Sequence, residues 1–352
     1  MDLELTDEQK LLSASIETLL ERSGSDTEET WEKIVEFGGL MVGEEALGAV
    51  ELCLIARNLG AHLAAVPYLG SAAARFAVDG IEALPAAFAA LAEEPTAIAI
   101  AFLEPGGSWS TEALATRLAD GAPVGEKCTV ETAGADELLI VGRDDDGPIL
   151  ALVPLDAAGV QVTEQESIDS SIPLSRISLA GVAIDADRVL TGADAAAATQ
   201  RLEEIGALLA AAEVNGAAAT ILAQATEYAG QRRQFGRTIG SNQALRHLLA
   251  DMYVREAAAW SSILYSAAAL DDGAAEARRS TSITKAFASQ AGREVAHGAM
   301  QVFGGIAFTE EHDAHRFLRR INLRGSQFGD AAHHERLLGR ELAAGARRVA
   351  KA

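Results

Sequence analysis

From Ala193 onward, apolar residues return at helical spacing over segments of about 195–230, 241–270 and 274–303. A shorter pair follows near 311–322 and 331–348. Long helices with short joints leave little choice but an antiparallel bundle. The filling of that bundle is constrained as well. Hydrophobic residues make up 49% of the 352, yet aromatics contribute only 5%. Ala, Leu and Val therefore supply the interior, and side chains this small favour helices packed closely together.

What precedes the bundle changes character once. Thr6-Asp7-Glu8-Gln9 is a capping-box pattern, and it opens a helix carrying Leu11, Leu12, Ile16, Leu19 and Leu20. A second helix is expected from near Thr30. A third is expected across Glu44–Leu63, where Leu47, Val50, Leu54 and Leu59 recur, with Pro67 ending it. Between about Thr96 and Leu190 the apolar runs shorten to AIAIAFL, ELLIVG, PILALVPL, GVQV and ISLAGVAI, separated by turn residues. Such spacing predicts a small barrel or sandwich of antiparallel strands. The expected division is an all-α domain over 1–93, a β domain over 94–192 and a four-helix bundle over 193–352, in keeping with a length that favours two or three domains.

The charge balance, 29 basic against 51 acidic residues, gives a formal net of −22. That excess repels phosphate backbones and anionic lipid heads, so neither nucleic acid nor a membrane is an expected partner. Cys53 and Cys128 permit one disulfide but no framework, and no Cys/His spacing offers a zinc site. The start, MDLELTDEQK, has no apolar signal-peptide core, and charges interrupt the Ala-rich stretches. A soluble, cytoplasmic protein is expected.

Two segments of the bundle are more specific than periodicity. Arg232-Arg233-Gln234-Phe235-Gly236, continuing to Ile239 and Gln243, reads RxxFGxxIxxxQ. Gln301-Val302-Phe303-Gly304-Gly305-Ile306-Ala307-Phe308 reads as a QxxGGxGF turn with Ala307 in place of its last glycine. With these segments and the order helices, strands, bundle, the chain resembles the acyl-CoA dehydrogenase family. The likeness runs from LTDEQ near the start through VAIDADRVL at the end of the strand region. It implies FAD as cofactor, an acyl-CoA thioester as substrate and electron-transfer flavoprotein as electron acceptor. In that family the two segments clasp the adenosine diphosphate half of an FAD bound to the neighbouring subunit, which implies an obligate oligomer. The chemistry is apt. The Arg232 guanidinium can hydrogen-bond two pyrophosphate oxygens, and Phe235 offers an apolar plate. Gln234 belongs to the same segment, Gln243 and Gln301 each bring a donor and an acceptor, and Gly304-Gly305 admits a close backbone approach.

The resemblance also implies a catalytic glutamate that removes the substrate α-proton while the β-hydride passes to the flavin. It is usually found in a Glu-Gly-Thr tripeptide about two dozen residues beyond the Gly-Gly turn. That count arrives at Phe328-Gly329-Asp330, and phenylalanine takes no proton. Some members place the base on the first bundle helix, about seven turns before RxxFG. There the chain has Gly206, with Glu203 and Glu204 within a turn and Glu213 two turns on. A solvated helix face is the favoured reading of these acids. The flavin-ring segments depart as well: Phe102-Leu103-Glu104-Pro105-Gly106-Gly107-Ser108 and Thr129-Val130-Glu131-Thr132-Ala133 put Thr129 where the family has Trp, and Glu131 and Leu103 at hydroxyl positions. The pattern resembles the smaller, base-less subunit of heteromeric actinobacterial acyl-CoA dehydrogenases. This chain would then supply no catalytic residue, and its partner in a heterotetramer would be a larger homologous chain carrying the glutamate.

Three other readings stand beside this one. The chain is a self-sufficient homo-oligomeric dehydrogenase using Asp330, Glu204 or Glu213; or a di-metal bundle, since Glu294-Val295-Ala296-His297 is an ExxH; or a structural subunit without cofactor contact. No second ExxH exists for the metal reading, and His333-His334-Glu335 suits an exposed helix. The basic stripe Arg316, Arg319, Arg320 and Arg324 is expected to pair with the protein's own carboxylates rather than with phosphates. His247, four residues after Gln243, reads as an ordinary helix residue or a flank of the cofactor.

Overall fold

The computed structural model describes residues 3–349, apart from Ser25, Glu44, Glu45, Ser108 and Asp120. The expected order appears. Four helices, α1 (Asp7–Ser23), α2 (Thr27–Glu36), α3 (Ala49–Ala61) and α4 (Tyr68–Val78), and the short α5 (Ala86–Ala89) precede eight strands. Five helices close the chain: α6 (Gly192–Gln231), α7 (Gln243–Asp271), α8 (Ala277–Phe303), α9 (Ala314–Ser326) and α10 (Ala331–Val349). The capping box at the head of α1 is reciprocal, with Thr6 Oγ1 accepting from the Gln9 amide at 3.2 Å and Gln9 Oε1 accepting from the Thr6 amide at 3.0 Å.

The third helix needs two corrections. It begins at Ala49, while Glu44 lies outside the described residues. It is not ended by Pro67. Leu63 takes a left-handed conformation (φ 54°), its amide donates to Gly60 O, and the Ala64 amide donates to Leu59 O. That is a Schellman-type closure with leucine where glycine is usual. Pro67 instead precedes the first residue of α4.

The chain forms two compact units. One, Ser23–Gly48 with Ala65–Gly206, is built around two four-stranded sheets. The first joins β1 (Ile98–Ala101), β4 (Glu137–Arg143), β5 (Pro148–Pro154) and β8 (Val189–Leu190) in that order. The second joins β2 (Arg117–Ala119), β3 (Ala122–Val130), β7 (Leu174–Leu179) and β6 (Val160–Gln165). Ala99, Leu138, Ile140, Ala151 and Val153 of one sheet share a buried cluster with Val130, Ile177 and Leu179 of the other, as in a sandwich. The expectation of purely antiparallel strands fails at one place: β1 and β4 pair parallel. The excursion through β2 and β3 lets the chain re-enter the first sheet in its original direction, which a tight hairpin cannot do.

The other unit comprises Met1–Arg22, Ala49–Ala64 and Ala207–Ala352. Its core draws on α6 (Val214, Ala217, Ile221), α8 (Val295, Ala299, Val302) and α9 (Phe317, Ile321). Alanine lets these helices approach closely, as the composition predicts. Closer still is the crossing of α3 and α6, where a Cβ on Gly60 would overlap the Glu213 carbonyl and one on Gly216 the Arg57 carbonyl. By length and apolarity α6 qualifies as a membrane-crossing helix, yet 89% of that apolar window is buried inside the protein, so it reads as a core helix. Cys53 and Cys128 are both free thiols; no disulfide forms.

Candidate cofactor-binding site

Directly after α6 the chain makes a two-stranded hairpin, β9 (Arg233–Gln234) against β10 (Arg237–Thr238). Its two turn residues, Phe235 (φ 51°) and Gly236 (φ 80°), are both left-handed, the geometry of a type I′ turn. Asn is the usual first residue there; phenylalanine is costly. The Phe235 ring is fully exposed, at 101% of its reference area. Arg232, Arg233, Gln234 and Arg237 are exposed too, and among the described residues none of these arginines meets a carboxylate. The Arg232 backbone is nonetheless fixed: its amide donates to Tyr228 O and its carbonyl accepts from Ile239, both at 2.8 Å. Gln243, exposed, is the first residue of α7, next to the capping Asn242 whose side chain accepts from the Ala244 amide.

The second segment stands at the C-terminal end of α8. Gln301, Gly304 and Gly305 are exposed, and nothing lies within 4 Å of where a Cβ on either glycine would be. Ile306 and Phe308 are exposed at 41% and 75%. Ala307, by contrast, is fully buried, its methyl filling core that glycine would leave open. The two segments meet at one end of the bundle. Tyr228 and Phe303 have ring centroids 5.3 Å apart, and Ile239 and Leu245 pack on the cluster that holds Val302, Phe303 and Ala307. The predicted residues thus share one end of one unit, exposed, with donors and apolar plates whose side chains meet no carboxylate among the described residues, which fits an external dinucleotide better than it fits internal packing.

The joint between α9 and α10 is the opposite kind of place. Gln327 and Phe328 are buried (8% and 7% exposed), Phe328 is left-handed (φ 53°), and Gly329 follows at φ 95°. Arg324 donates from Nε to Glu213 Oε2 at 2.7 Å and from a terminal nitrogen to Gln327 Oε1 at 2.6 Å. Arg320 lies 3.8 Å from the same carboxylate and donates to the carbonyls of Leu63 and Ala64, the closing turn of α3. Lys285, wholly buried, donates to Arg324 O at 2.6 Å in the last turn of α9. Arg320 and Lys285 thus sit at helix carbonyl ends, whose partial negative charge helps offset cations outnumbering the one carboxylate. Burial, helped by Arg324, draws the Lys285 ammonium down to about 7. His334 Nε2 donates to Phe328 O at 2.9 Å, and burial together with Lys285 lowers that imidazole to about 4.

Several expectations change here. Glu213 is not on a solvated face but 2% exposed and engaged by Arg324; Glu204, 8% exposed, accepts from Gln200 Nε2 at 2.9 Å. Asp330 is exposed and accepts from the His333 amide at 2.7 Å, capping α10. The HHE stretch is not uniformly exposed, since His334 is buried. The basic stripe splits: Arg316 pairs with Asp313 at the surface, Arg319 is exposed, and Arg320 and Arg324 serve the core carboxylate. Glu294 of the ExxH pairs with Arg255, and among the described residues no group of three His, Cys, Asp or Glu could hold a metal. His247 is exposed on α7.

In the sheet unit, Lys127 is buried and donates to Phe102 O, Val141 O and Glu104 Oε1. Burial lowers the amine to about 8. Burial raises Glu104, but hydrogen bonds from Lys127 and from Ala115 and Thr116 outweigh it and hold the carboxyl near 2. This charged pair pins the strand end beside Leu103. Thr129, half-buried and left-handed (φ 53°), donates its amide to Gln165 Oε1 at 3.0 Å. Glu131 is half-buried, and Ser108 lies outside the described residues. These positions supply a carboxylate and an aliphatic side chain where the resemblance calls for hydroxyls, and they fit an isoalloxazine ring poorly.

The helices, double sheet and terminal bundle define a protein with the acyl-CoA dehydrogenase fold. In the crystal structure of the ChsE4–ChsE5 complex from Mycobacterium tuberculosis, a similar chain superposes with a TM-score of 0.85 at 25% identity, covering 97% of this chain and 99% of that one. Residues 177–343 match the acyl-CoA dehydrogenase C-terminal domain. The acyl-CoA dehydrogenase FadE27 of Mycobacterium tuberculosis (strain ATCC 25618 / H37Rv) is 28% identical over 90% of this chain and 88% of its own length. FadE34 of the same organism is 33% identical over 54% of this chain, which spans only 26% of that longer protein. The chain is thus similar to acyl-CoA dehydrogenases, in fold along almost its whole length and in its C-terminal domain over residues 177–343.

Proposed function

We propose that this chain is the FAD-clasping, base-less subunit of an acyl-CoA dehydrogenase, working beside a homologous larger chain that carries the catalytic glutamate. The observation that carries the reading is Phe328. The spacing of the family motifs expects the base there, and a buried phenylalanine occupies the position. The substitute carboxylates are already committed: Glu213 to Arg324, Glu204 to Gln200, Asp330 to the head of α10. Arg232, Gln234, Phe235, Gln243, Gln301, Gly304 and Gly305 would hold the adenosine diphosphate half of a neighbour's FAD, with Arg232 on the pyrophosphate. FAD, when bound, supplies the hydride acceptor. This chain's own part is to bind and orient it, while the substrate, an acyl-CoA thioester, reacts against the partner's groups. An α₂β₂ assembly in the cytoplasm, passing electrons to electron-transfer flavoprotein, and the division at 1–93, 94–192 and 193–352 belong to the same proposal. The solved complex of two named chains, ChsE4–ChsE5, gives a precedent for heteromeric assembly in a similar fold.

The test is purification of the chain alone and with the adjacent reading frame, followed by flavin quantification and an acyl-CoA dehydrogenation assay. Flavin and turnover are expected only in the co-purified complex, and Arg232→Ala in this chain should strip flavin from it. Stoichiometric FAD and turnover by the isolated chain would overturn the reading.

A further inference from the structure

Beneath Phe328 the helical unit keeps buried polar groups that no partner in the chain satisfies. Lys285 is fully buried and spends one of its three N–H groups, on Arg324 O at 2.6 Å. Ser289, one turn further along α8 and 1% exposed, has no partner for its hydroxyl among the described residues. It stands against the residue after Arg324, since a Cβ on Gly325 would lie 3.9 Å from Ser289 Oγ. His334, 5% exposed, commits Nε2 to Phe328 O and leaves Nδ1 without a partner. Buried polar atoms are paired as a rule, because leaving one unpaired forfeits its solvation with no return. Here two stand at one joint, beside an ammonium with donors to spare.

Charge points the same way. Lys285, Arg320 and Arg324 are buried around a single buried carboxylate, Glu213. The carbonyl ends of α3 and α9 offset only part of that surplus. Asp330 also acts on Lys285, but it is exposed and spent on capping α10. On α10 itself Glu335 is exposed and accepts from Gln290, while His333, Arg336 and Arg340 bring no negative charge. Helix α7 meets this stretch of α8 through Ser262 and Ser266 at Thr284, which are neutral. A surplus of buried positive charge is relieved in one of two ways: the amine gives up its proton, or an anion joins it.

We propose that Lys285, Ser289 and His334 form an internal binding site for a small inorganic anion of the halide class, beneath the joint of α9 and α10. Lys285 supplies its two remaining N–H donors and Ser289 its hydroxyl. In neutral His334 Nδ1 carries a lone pair, so it turns to the anion only after taking a proton from solvent. The anion joins α8 to the head of α10 and so braces the left-handed turn at Phe328 and Gly329. The proposal does not rest on the FAD reading, because none of these residues belongs to the proposed clasp.

The test uses the full chain with whatever subunits co-purify with it. Crystals grown in sodium gluconate and soaked in sodium bromide should show an anomalous difference peak in contact with Lys285 Nζ and Ser289 Oγ. In solution, replacing gluconate by chloride at constant ionic strength should raise the unfolding midpoint by at least about 2 °C. Lys285→Met should abolish that shift. The pH dependence separates the two forms of relief. The Lys285 ammonium of the anion-free protein titrates near 7, so it is charged at about pH 6 and must regain its proton to hold an anion at about pH 9. Chloride, followed by chlorine NMR line broadening, should therefore bind at least about tenfold more tightly at the lower pH. If Lys285→Met fails to fold, Ser289→Ala, which keeps the charge and should weaken chloride binding several-fold, decides together with the bromide map. Water alone at the site, a chloride response shared by wild type and both variants, or equal affinity at the two pH values overturns the proposal.

Discussion

Two Phe-Gly dipeptides in the helical unit adopt nearly the same backbone: Phe235 and Phe328 have φ of 51° and 53°, each followed by a left-handed glycine. Their surroundings are opposites. Phe235 is fully exposed on a two-residue turn, while Phe328 is 7% exposed above a network of charged side chains. A left-handed non-glycine residue costs about 1–2 kcal/mol and persists only where something holds it. At Phe328 the restraint is internal. Gln327 is held by Arg324, the Phe328 carbonyl by His334, and the next helix is capped by Asp330. At Phe235 the short hairpin fixes the backbone, and the side chain stands fully exposed. One phenylalanine is packed inside the protein; the other stands on its surface, where the proposed flavin contact would use it.

The comparison can be broken at its buried side first. Glu213→Ala removes the carboxylate that Arg324 and Arg320 share, and loss of one partner from a buried pair typically costs about 3–5 kcal/mol. Chemical denaturation should register a drop of that order. A change under about 1 kcal/mol would mean that the joint does not depend on the pair.

A smaller effect is expected from pH. The folded His334 titrates near 4, below its ordinary value of 6.5. Between those values the unfolded chain binds the proton and the folded chain does not, so stability falls as pH drops through that window. His334→Gln should flatten this part of the stability profile, measured as unfolding midpoint against pH; an unchanged slope would assign it elsewhere.

The smallest effect sharpens the exposed side. Phe235→Asn relieves the turn and should raise stability by up to about 1 kcal/mol. The same variant should lose flavin from the assembled complex. A gain in stability with full flavin retention would show that the ring serves no ligand.

Much of this was legible beforehand. The bundle boundaries followed from periodicity to within a few residues for the long helices, because a helix buried on one side must repeat its apolar positions. The capping box was readable for the same local reason. The Glu213–Arg324 pair was missed, although two signals pointed to it. Glu213 is the only charge between Glu204 and Glu227, inside a run that is otherwise apolar or small. Arg324 continues the spacing Ala314, Phe317, Ile321 that forms the core stripe of α9. Periodicity marks where a side chain faces inward, but not whether another chain segment brings the opposite charge to meet it.

What the sequence determined alone is the order of element types, the bundle, and the motif segments that carry its resemblance to acyl-CoA dehydrogenases, since these depend on residues near each other along the chain. Only the tertiary structure decided that β1 runs parallel to β4, that Leu63 rather than Pro67 closes α3, and that one Phe-Gly is buried and its twin exposed. Those outcomes turn on partners far away in sequence: β4 for β1, Arg320 for the Leu63 and Ala64 carbonyls, Lys285 and Glu213 for the joint beneath Phe328. The pairing energy of such contacts appears only once the chain has brought them together.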